Sequence, residues 1–490
     1  MAILSILPTT ETAGIAVLII CFAFLIKILY TAYFNPLNKI PGPWYARLTH
    51  LVLKYHVITG NRIHYVHSLH RTYGPIVLIS PAEISCSSLP SFQTIHPVSK
   101  TFLKTHWYET FVPKPPGIFA MIDSKLHAAR RKIFANAFSK SFLKTNWEDE
   151  VKRKVIMAVE KIKRDALRKE VDILTFFTFM ATDTITHLCF GESFKTLENE
   201  QKTQYIEDLQ HTVHVSSIRA EFPILFAIGE FLHIPFLQTS DERILEYGAV
   251  AVRNAKSQSY TKPTIFRKAL AESKTENAEG SMTDIDIQRE ASSFLVAGTD
   301  TTAISLTFLV YNILRDQNLQ KQLEDEVDTL RKDFEAKDVE ELVMLNAVIN
   351  EGLRLWGAAP GALPRIVPNE GTLLDGYQVP GGIIVSTQSW TIHRDPEIYP
   401  EPESFQPQRW LDSKSNNAKA AYHPFGAGTR TCLGIHLARM EMRLALALFF
   451  RECKGARIAL SQDEEGMAIK NYFLIEPKGK KCMITMRDGY

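Results

Sequence analysis

The stretch Phe425–Gly434, Phe-Gly-Ala-Gly-Thr-Arg-Thr-Cys-Leu-Gly, constrains this chain more than any other. Glycines at 426, 428 and 434 permit a tight loop, and strong helix formers follow from Ile435 onward. Cys432 therefore stands just before a helix N-terminus, where backbone amides and the positive end of the helix dipole face its sulfur. That placement predicts a lowered thiol pKa and a thiolate site, with a backbone against which a flat ligand can lie closely. The plain alternative is a buried cysteine in a glycine-rich turn.

At 490 residues, 45% hydrophobic and 22% charged, the chain can bury a large core, and a net charge of +2 gives no reason to expect nucleic acid. Its six cysteines (21, 86, 189, 432, 453 and 482) are far apart with no Cys-x-x-Cys, which suits a reducing compartment. Residues 14–34 form an apolar run long enough to cross a bilayer, with Lys27 placed to snorkel and Tyr30, Tyr33 and Phe34 as interfacial anchors. Only Glu11 lies upstream, whereas Lys39 and Arg47 follow, which puts the body of the protein in the cytosol. We therefore expect a short luminal segment at 1–13, an uncleaved transmembrane helix at 14–34, a stiff hinge at 35–44 (Pro36, Pro41, Gly42, Pro43) and one globular domain at 45–490.

Helical spacing runs from Ile63 to Tyr73, and 75–80 reads as a strand. The aromatic, proline-rich segment 107–123 predicts an irregular pocket wall, and His127 and Arg131 share one helical face beyond it. Amphipathic helices such as Val151 to Leu167 fill 145–275, with an apolar stretch from Phe222 to Leu237 that suits either a membrane-dipping rim or a buried helix, and a polar loop at 272–283. Ser281 and Thr283 then offer an N-cap for a helix reaching to about Arg315, a rod of about 45 Å. In its middle, Ala297-Gly298-Thr299-Asp300-Thr301-Thr302 puts a glycine, an acid and three hydroxyls where apolar residues would cost less, which marks function unless the threonines merely bond back to the preceding turn. Glu351 and Arg354, at i and i+3 among apolar neighbours, predict a buried pair in need of a further partner, for which Arg409 is the candidate. Small residues from Ala358 bend the chain towards Arg365, Val367 to Trp390 reads as a small sheet, and His393 sits in a closing turn.

The loop at Phe425, Gly428, Arg430, Cys432 and Gly434 resembles the haem-binding loop of the cytochrome P450 family. The segment 297–302 resembles that family's long-helix motif, and Glu351-x-x-Arg354 with Arg409 its structural triad, so the resemblance covers roughly residues 35 to 490. It implies a mainly α fold with small β-sheets, a single large haem domain in which the long helix and the Cys432 loop enclose haem b. Carried over residue by residue, it makes Cys432 the axial ligand of the haem iron, and His127, Arg131, Arg365 and Arg430 the propionate partners. Ala297 and Gly298 then face the haem, Thr301 hydrogen-bonds dioxygen and Asp300 brings in protons, while His393 either reaches the haem edge or, the preferred reading, sits in an ordinary capped turn.

The activity implied is a haem-thiolate monooxygenase that inserts one oxygen atom from dioxygen into an apolar small molecule. This chain carries no flavin or nicotinamide fingerprint, so the electrons come from a separate NADPH–cytochrome P450 reductase, with cytochrome b5 as a second candidate donor. Lys132, Arg430, Arg439 and Arg443 are candidates for a docking face. The hinge and the Ala358–Arg365 bend look most like fungal P450s of secondary metabolism, anchored by one pass in the endoplasmic reticulum membrane. Two alternatives stand beside this reading: a reductase-independent haem-thiolate isomerase or dehydratase, and a non-catalytic haem-binding membrane protein. The intact Asp300-Thr301 pair favours the monooxygenase.

Overall fold

In the computed structural model the helix Asp284–Leu314 is the axis on which the other helices are arranged; residues 10–98, 102–112, 114–234, 241–256, 264–266, 282–411 and 416–487 are described. Thr283 caps it: its Oγ1 accepts from the Asp286 N–H at 3.2 Å while Asp286 Oδ2 accepts from the Thr283 N–H at 2.9 Å, a reciprocal box that starts the helix where the sequence predicts. Ser281, the other cap candidate, lies outside the described residues, as do 1–9 and most of the polar loop before the helix.

The axial helix packs most extensively against Ile173–Phe190 and also against Val343–Trp356 and Ile435–Glu452. Ile173–Phe190 is not the amphipathic helix expected of this region, because it is buried on nearly every side. The crossing explains Gly298: a Cβ there would come within 2.7 Å of Ile185 Cγ1, so the glycine is demanded by helix packing. One apolar cluster runs through this bundle, from Trp147 and Phe177 through Leu306 and Phe308 to Phe449.

The β-structure is confined to four small sheets among the described residues. The largest has the spatial order Ile76–Ser80, Glu83–Cys86, Ile384–Thr387, Arg365–Ile366, Leu103–Lys104, antiparallel throughout except for the parallel pair Glu83–Cys86 and Ile384–Thr387. Segment 35–44 belongs to the body: Leu37 and Ile40 are buried, and the Pro41 carbonyl accepts from the Leu78 N–H at 2.8 Å. Its stiffness is thus fixed against the sheet edge.

Among the described residues three helices are long and apolar enough to cross a membrane, but Ile173–Phe190 and Asp284–Leu314 are spent on the core, whereas Gly14–Phe34 buries little of itself. A second apolar surface lies on Pro223–Phe231, where Ile224 and Phe231 are 76% and 80% exposed. Pro223 starts this helix, as a proline at the first turn can, instead of breaking one. Pro235 and the end of the predicted stretch lie outside the described residues.

Candidate active site

A cavity of about 420 Å³ separates the axial helix from the cysteine loop. The loop is closed by the Cys432 N–H, which donates to the Phe425 carbonyl at 2.9 Å, and by Gly426 and Gly428 at φ of +73° and +63°. Gly428 has a second reason to lack a side chain: a Cβ would lie 2.6 Å from the His96 carbonyl oxygen. Gly434, at φ −83°, instead ends the loop, and its N–H points at the Cys432 sulfur.

The sulfur opens onto the cavity, yet protein surrounds it. Burial pushes its pKa up, and the Gly434 N–H and the Arg131 guanidinium offset that only in part. This corrects the expectation of a lowered pKa: amides and helix dipole alone do not outweigh the low dielectric. A cation bound at the sulfur reverses the balance, since a coordinating thiol gives up its proton.

Of the five basic side chains that line the same cavity among the described residues, Arg289 belongs to the axial helix and four come from other segments. Arg131 donates to the Thr431 carbonyl at 2.8 Å, Arg430 to the carbonyls of Met121 (2.7 Å) and Ile122 (3.0 Å), and Arg365 to Tyr108 Oη (3.1 Å) and the Pro364 carbonyl (2.9 Å). The fourth, Lys104, is buried and bonds the Phe119 carbonyl; burial first, then Arg365 and Arg430, push its pKa well below the usual lysine range. Lys104 is the cross-strand neighbour of Arg365, and like charges so paired repel. None of the four forms an ion pair among the described residues, so the rim calls for an anionic ligand. His127 is buried beside them, and burial, followed by Arg430, Lys104 and Arg131, takes its pKa to about 3, leaving a neutral ring with one N–H to donate. A ligand with two carboxylates and a flat apolar body, as haem has, fits this donor set.

Across the cavity stand Ala297, Gly298, Thr301 and Thr302. Thr301 Oγ1 donates to the Ala297 carbonyl at 2.7 Å, the back-bonded arrangement, while its side chain still lines the cavity. Asp300 does not line it. Its carboxyl is enclosed behind the helix, where burial first and Glu476 second push its pKa up to about 7, against the pull of Lys202. Asp300 and Thr301 are therefore not brought to one surface.

Thr302 Oγ1 donates to Glu441 Oε2 at 3.2 Å, joining the axial helix to the helix after the cysteine. Burial pushes the Glu441 carboxyl up to about 8, so at neutral pH it is protonated. Its raised value costs stability as pH rises from about 4.5 through 8, by a few kcal/mol at about 1.4 kcal/mol per unit. Melting curves at pH 6 and pH 9 are expected to show Glu441→Gln gaining several degrees on the parent at the higher pH; parallel shifts would contradict a buried neutral acid.

Glu351 is fully buried and takes bonds from Arg354 Nε and Nη2 (2.9 and 2.8 Å), Arg409 Nε (2.8 Å), Trp410 Nε1 (2.7 Å) and the Gln406 N–H (3.0 Å). His393 joins this knot: its Nδ1 pairs with the Arg354 carbonyl at 3.0 Å, its Nε2 accepts from the His423 N–H at 3.1 Å, and it does not line the cavity. Of the two readings of His393, the structure has the ordinary turn and not the haem edge. Of the predicted docking cations, Arg430 points inward and Arg443 pairs with Glu340 at 3.4 Å, while Lys132 is exposed.

The cytochrome P450 family model matches residues 40–482. The chain is 42% identical to cytochrome P450 monooxygenase stcB of Emericella nidulans over 93% of its length and 89% of that protein's. It is 40% identical to cytochrome P450 monooxygenase aflV of Aspergillus parasiticus (94% of each chain) and 39% identical to cytochrome P450 monooxygenase cypX of Dothistroma septosporum (94% and 93%). A match of that span takes in both walls of the cavity and its rim, so the chain is a monooxygenase of the cytochrome P450 family, whose members carry haem iron.

Proposed function

We propose that the protein binds haem b between Cys432 and the Thr301 face and inserts one oxygen atom from dioxygen into an apolar small molecule of fungal secondary metabolism. The observation that carries this reading is the set of buried (Lys104, Arg365) and half-buried (Arg131, Arg430) cations that no carboxylate pairs among the described residues, lining the same cavity as Cys432. In it, Arg131, Arg365, Arg430, Lys104 and His127 hold the propionates, Cys432 holds the iron, and Phe425 and the loop glycines shape the floor. When bound, haem supplies the iron centre that activates dioxygen. Thr301 offers a hydroxyl at the cavity wall, and Asp300, poised near neutrality, passes protons from the far side of the helix. Phe111, Phe119 and Phe473 line the remaining space and exclude water from an apolar substrate.

Electrons come from an NADPH–cytochrome P450 reductase, with cytochrome b5 as a second donor. The apolar Gly14–Phe34 helix and the exposed Pro223–Phe231 surface support a single-pass anchor in the endoplasmic reticulum membrane with the haem domain in the cytosol. The names of the relatives support a monooxygenase reaction.

The reading is tested by reconstituting the protein with reductase and following NADPH consumption against metabolite conversion; an isomerase, dehydratase or silent haem carrier would consume none. Thr301→Ala is expected to keep its haem and its NADPH consumption while product per NADPH falls about tenfold or more and hydrogen peroxide rises in step. Unchanged coupling would remove Thr301 from proton handling.

A further inference from the structure

Beyond the short helix Trp107–Phe111, residues 114–122 run along the cavity without a helix or strand, and charged side chains take the place of a ladder. Arg219 donates to the carbonyls of Thr110 (3.1 Å) and Phe111 (3.0 Å), Arg289 to that of Lys114, Lys104 to that of Phe119, and Arg430 to those of Met121 and Ile122. All of these are cations on carbonyls. Glu290, on the axial helix, makes the opposite contact: both its oxygens accept from the Ile118 N–H, at 2.9 and 3.0 Å.

Glu290 has no exposed surface and is held from the other side by Arg130 Nη1 at 2.9 Å. Arg130 is also 3.4 Å from Asp286 and stands on Ser124–Ala135, the helix of His127 and Arg131. Gly117 completes the fit, since a Cβ there would lie 3.1 Å from both Glu290 Oε2 and Ser293 Oγ. Ile118 and Phe119, the residues so fixed, line the cavity. A carboxylate buried to anchor one loop amide is costly unless that loop's position matters.

We propose that Glu290, braced by Arg130, is a positioning residue that fixes Ile118 and Phe119 over the cavity and sets how fast apolar ligands enter and leave it. The ligand part rests on the haem reading above; the loop part does not. Glu290→Gln keeps one oxygen able to accept from the Ile118 N–H but removes the second acceptor and the ion pair with Arg130, and weakening a buried contact in this way corresponds to roughly a tenfold change in local opening.

The test uses the full-length, haem-loaded protein and Glu290→Gln. Amide hydrogen exchange over residues 116–122 is expected to accelerate roughly tenfold, while peptides around Glu351 stay unchanged. Stopped-flow binding of 4-phenylimidazole is expected to show association and dissociation both faster by several-fold, with the carbon monoxide spectrum unaltered. Arg130→Gln, which leaves the Ile118 contact in place, should give the same changes at smaller amplitude, and it decides the matter if Glu290→Gln yields no holoprotein. Unchanged exchange at 116–122, acceleration spread evenly through the axial helix, or unchanged probe kinetics would each overturn the proposal. Absence of any carbon monoxide band in the parent protein would instead sink the haem reading, and the exchange data would still judge the loop.

Discussion

Replacing Cys432 by alanine is expected to abolish the red-shifted Soret band of the reduced carbon monoxide complex and all oxygen insertion with it. No other thiol can substitute. Cys86, Cys189, Cys453 and Cys482 are buried away from the cavity, and burial raises the pKa of each; Cys21 lies in the N-terminal apolar helix. Serine is expected to fail as fully as alanine. This site is hostile to an anion in the chain alone, so it requires a group whose proton a metal can displace, and a thiol yields one far more readily than a hydroxyl. The cost to folding should be only about 1 kcal/mol, because the sulfur faces the cavity and the loop's closing bond is made by the Cys432 backbone. Visible spectra and melting curves on the same preparation separate the two effects. A retained red-shifted band in either variant would remove Cys432 from the iron.

The parts of this site that were legible in the sequence are those written locally. The cysteine loop is ten consecutive residues, the axial helix announces its cap and its polar interruption, and Glu351 and Arg354 are one helical turn apart. What the sequence hid depends on chain segments meeting. Lys104 carries no local signal, and only its two-residue ladder with Arg365 brings it to the rim. Glu441 was visible as an acid in an apolar helix, but its partner Thr302 is set by the helix crossing. The separation of Asp300 from Thr301 depends on which arc of the helix the cavity meets: the neighbours Thr301 and Thr302 both line it, whereas Asp300, turned about 100° the other way from Thr301, does not. Gly298 has a second reason that the sequence could not display: it lines the cavity, and Ile185 of the adjoining helix also leaves no room for a Cβ. The pKa of Cys432 was misjudged for a related reason, because a sequence displays the donors around a sulfur and not the protein that encloses it.

Glu351→Ala is expected to give little or no folded holoprotein. The Glu351 carboxylate takes five hydrogen bonds, and Arg354, itself fully buried, depends on it for neutralisation. Breaking a buried pair by removing one member costs about 3–5 kcal/mol, a large share of any domain's stability. The loss should reach the haem site by an identifiable path. Arg354 also donates to the carbonyls of His393, Pro402 and Ser404, His393 Nε2 holds the His423 N–H, and the His423 carbonyl accepts from the Gly426 N–H that opens the cysteine loop. Freed of its partner, Arg354 would draw water into that chain of contacts and release the loop that carries Cys432. Glu351→Gln keeps the shape and part of the bonding, and should retain more haem than alanine but melt well below the parent. Burial alone would raise the Glu351 pKa, yet Arg354, Trp410 and the Gln406 N–H together hold it below the usual carboxylate range. The parent therefore draws stability from this group above pH 4.5 and loses it as the pH falls through the folded value, a contribution that Glu351→Gln should lack. Haem per polypeptide, measured beside melting temperature over that pH range, tests both statements, and normal haem content in Glu351→Ala would show that the cysteine loop holds its shape without the buried knot behind it.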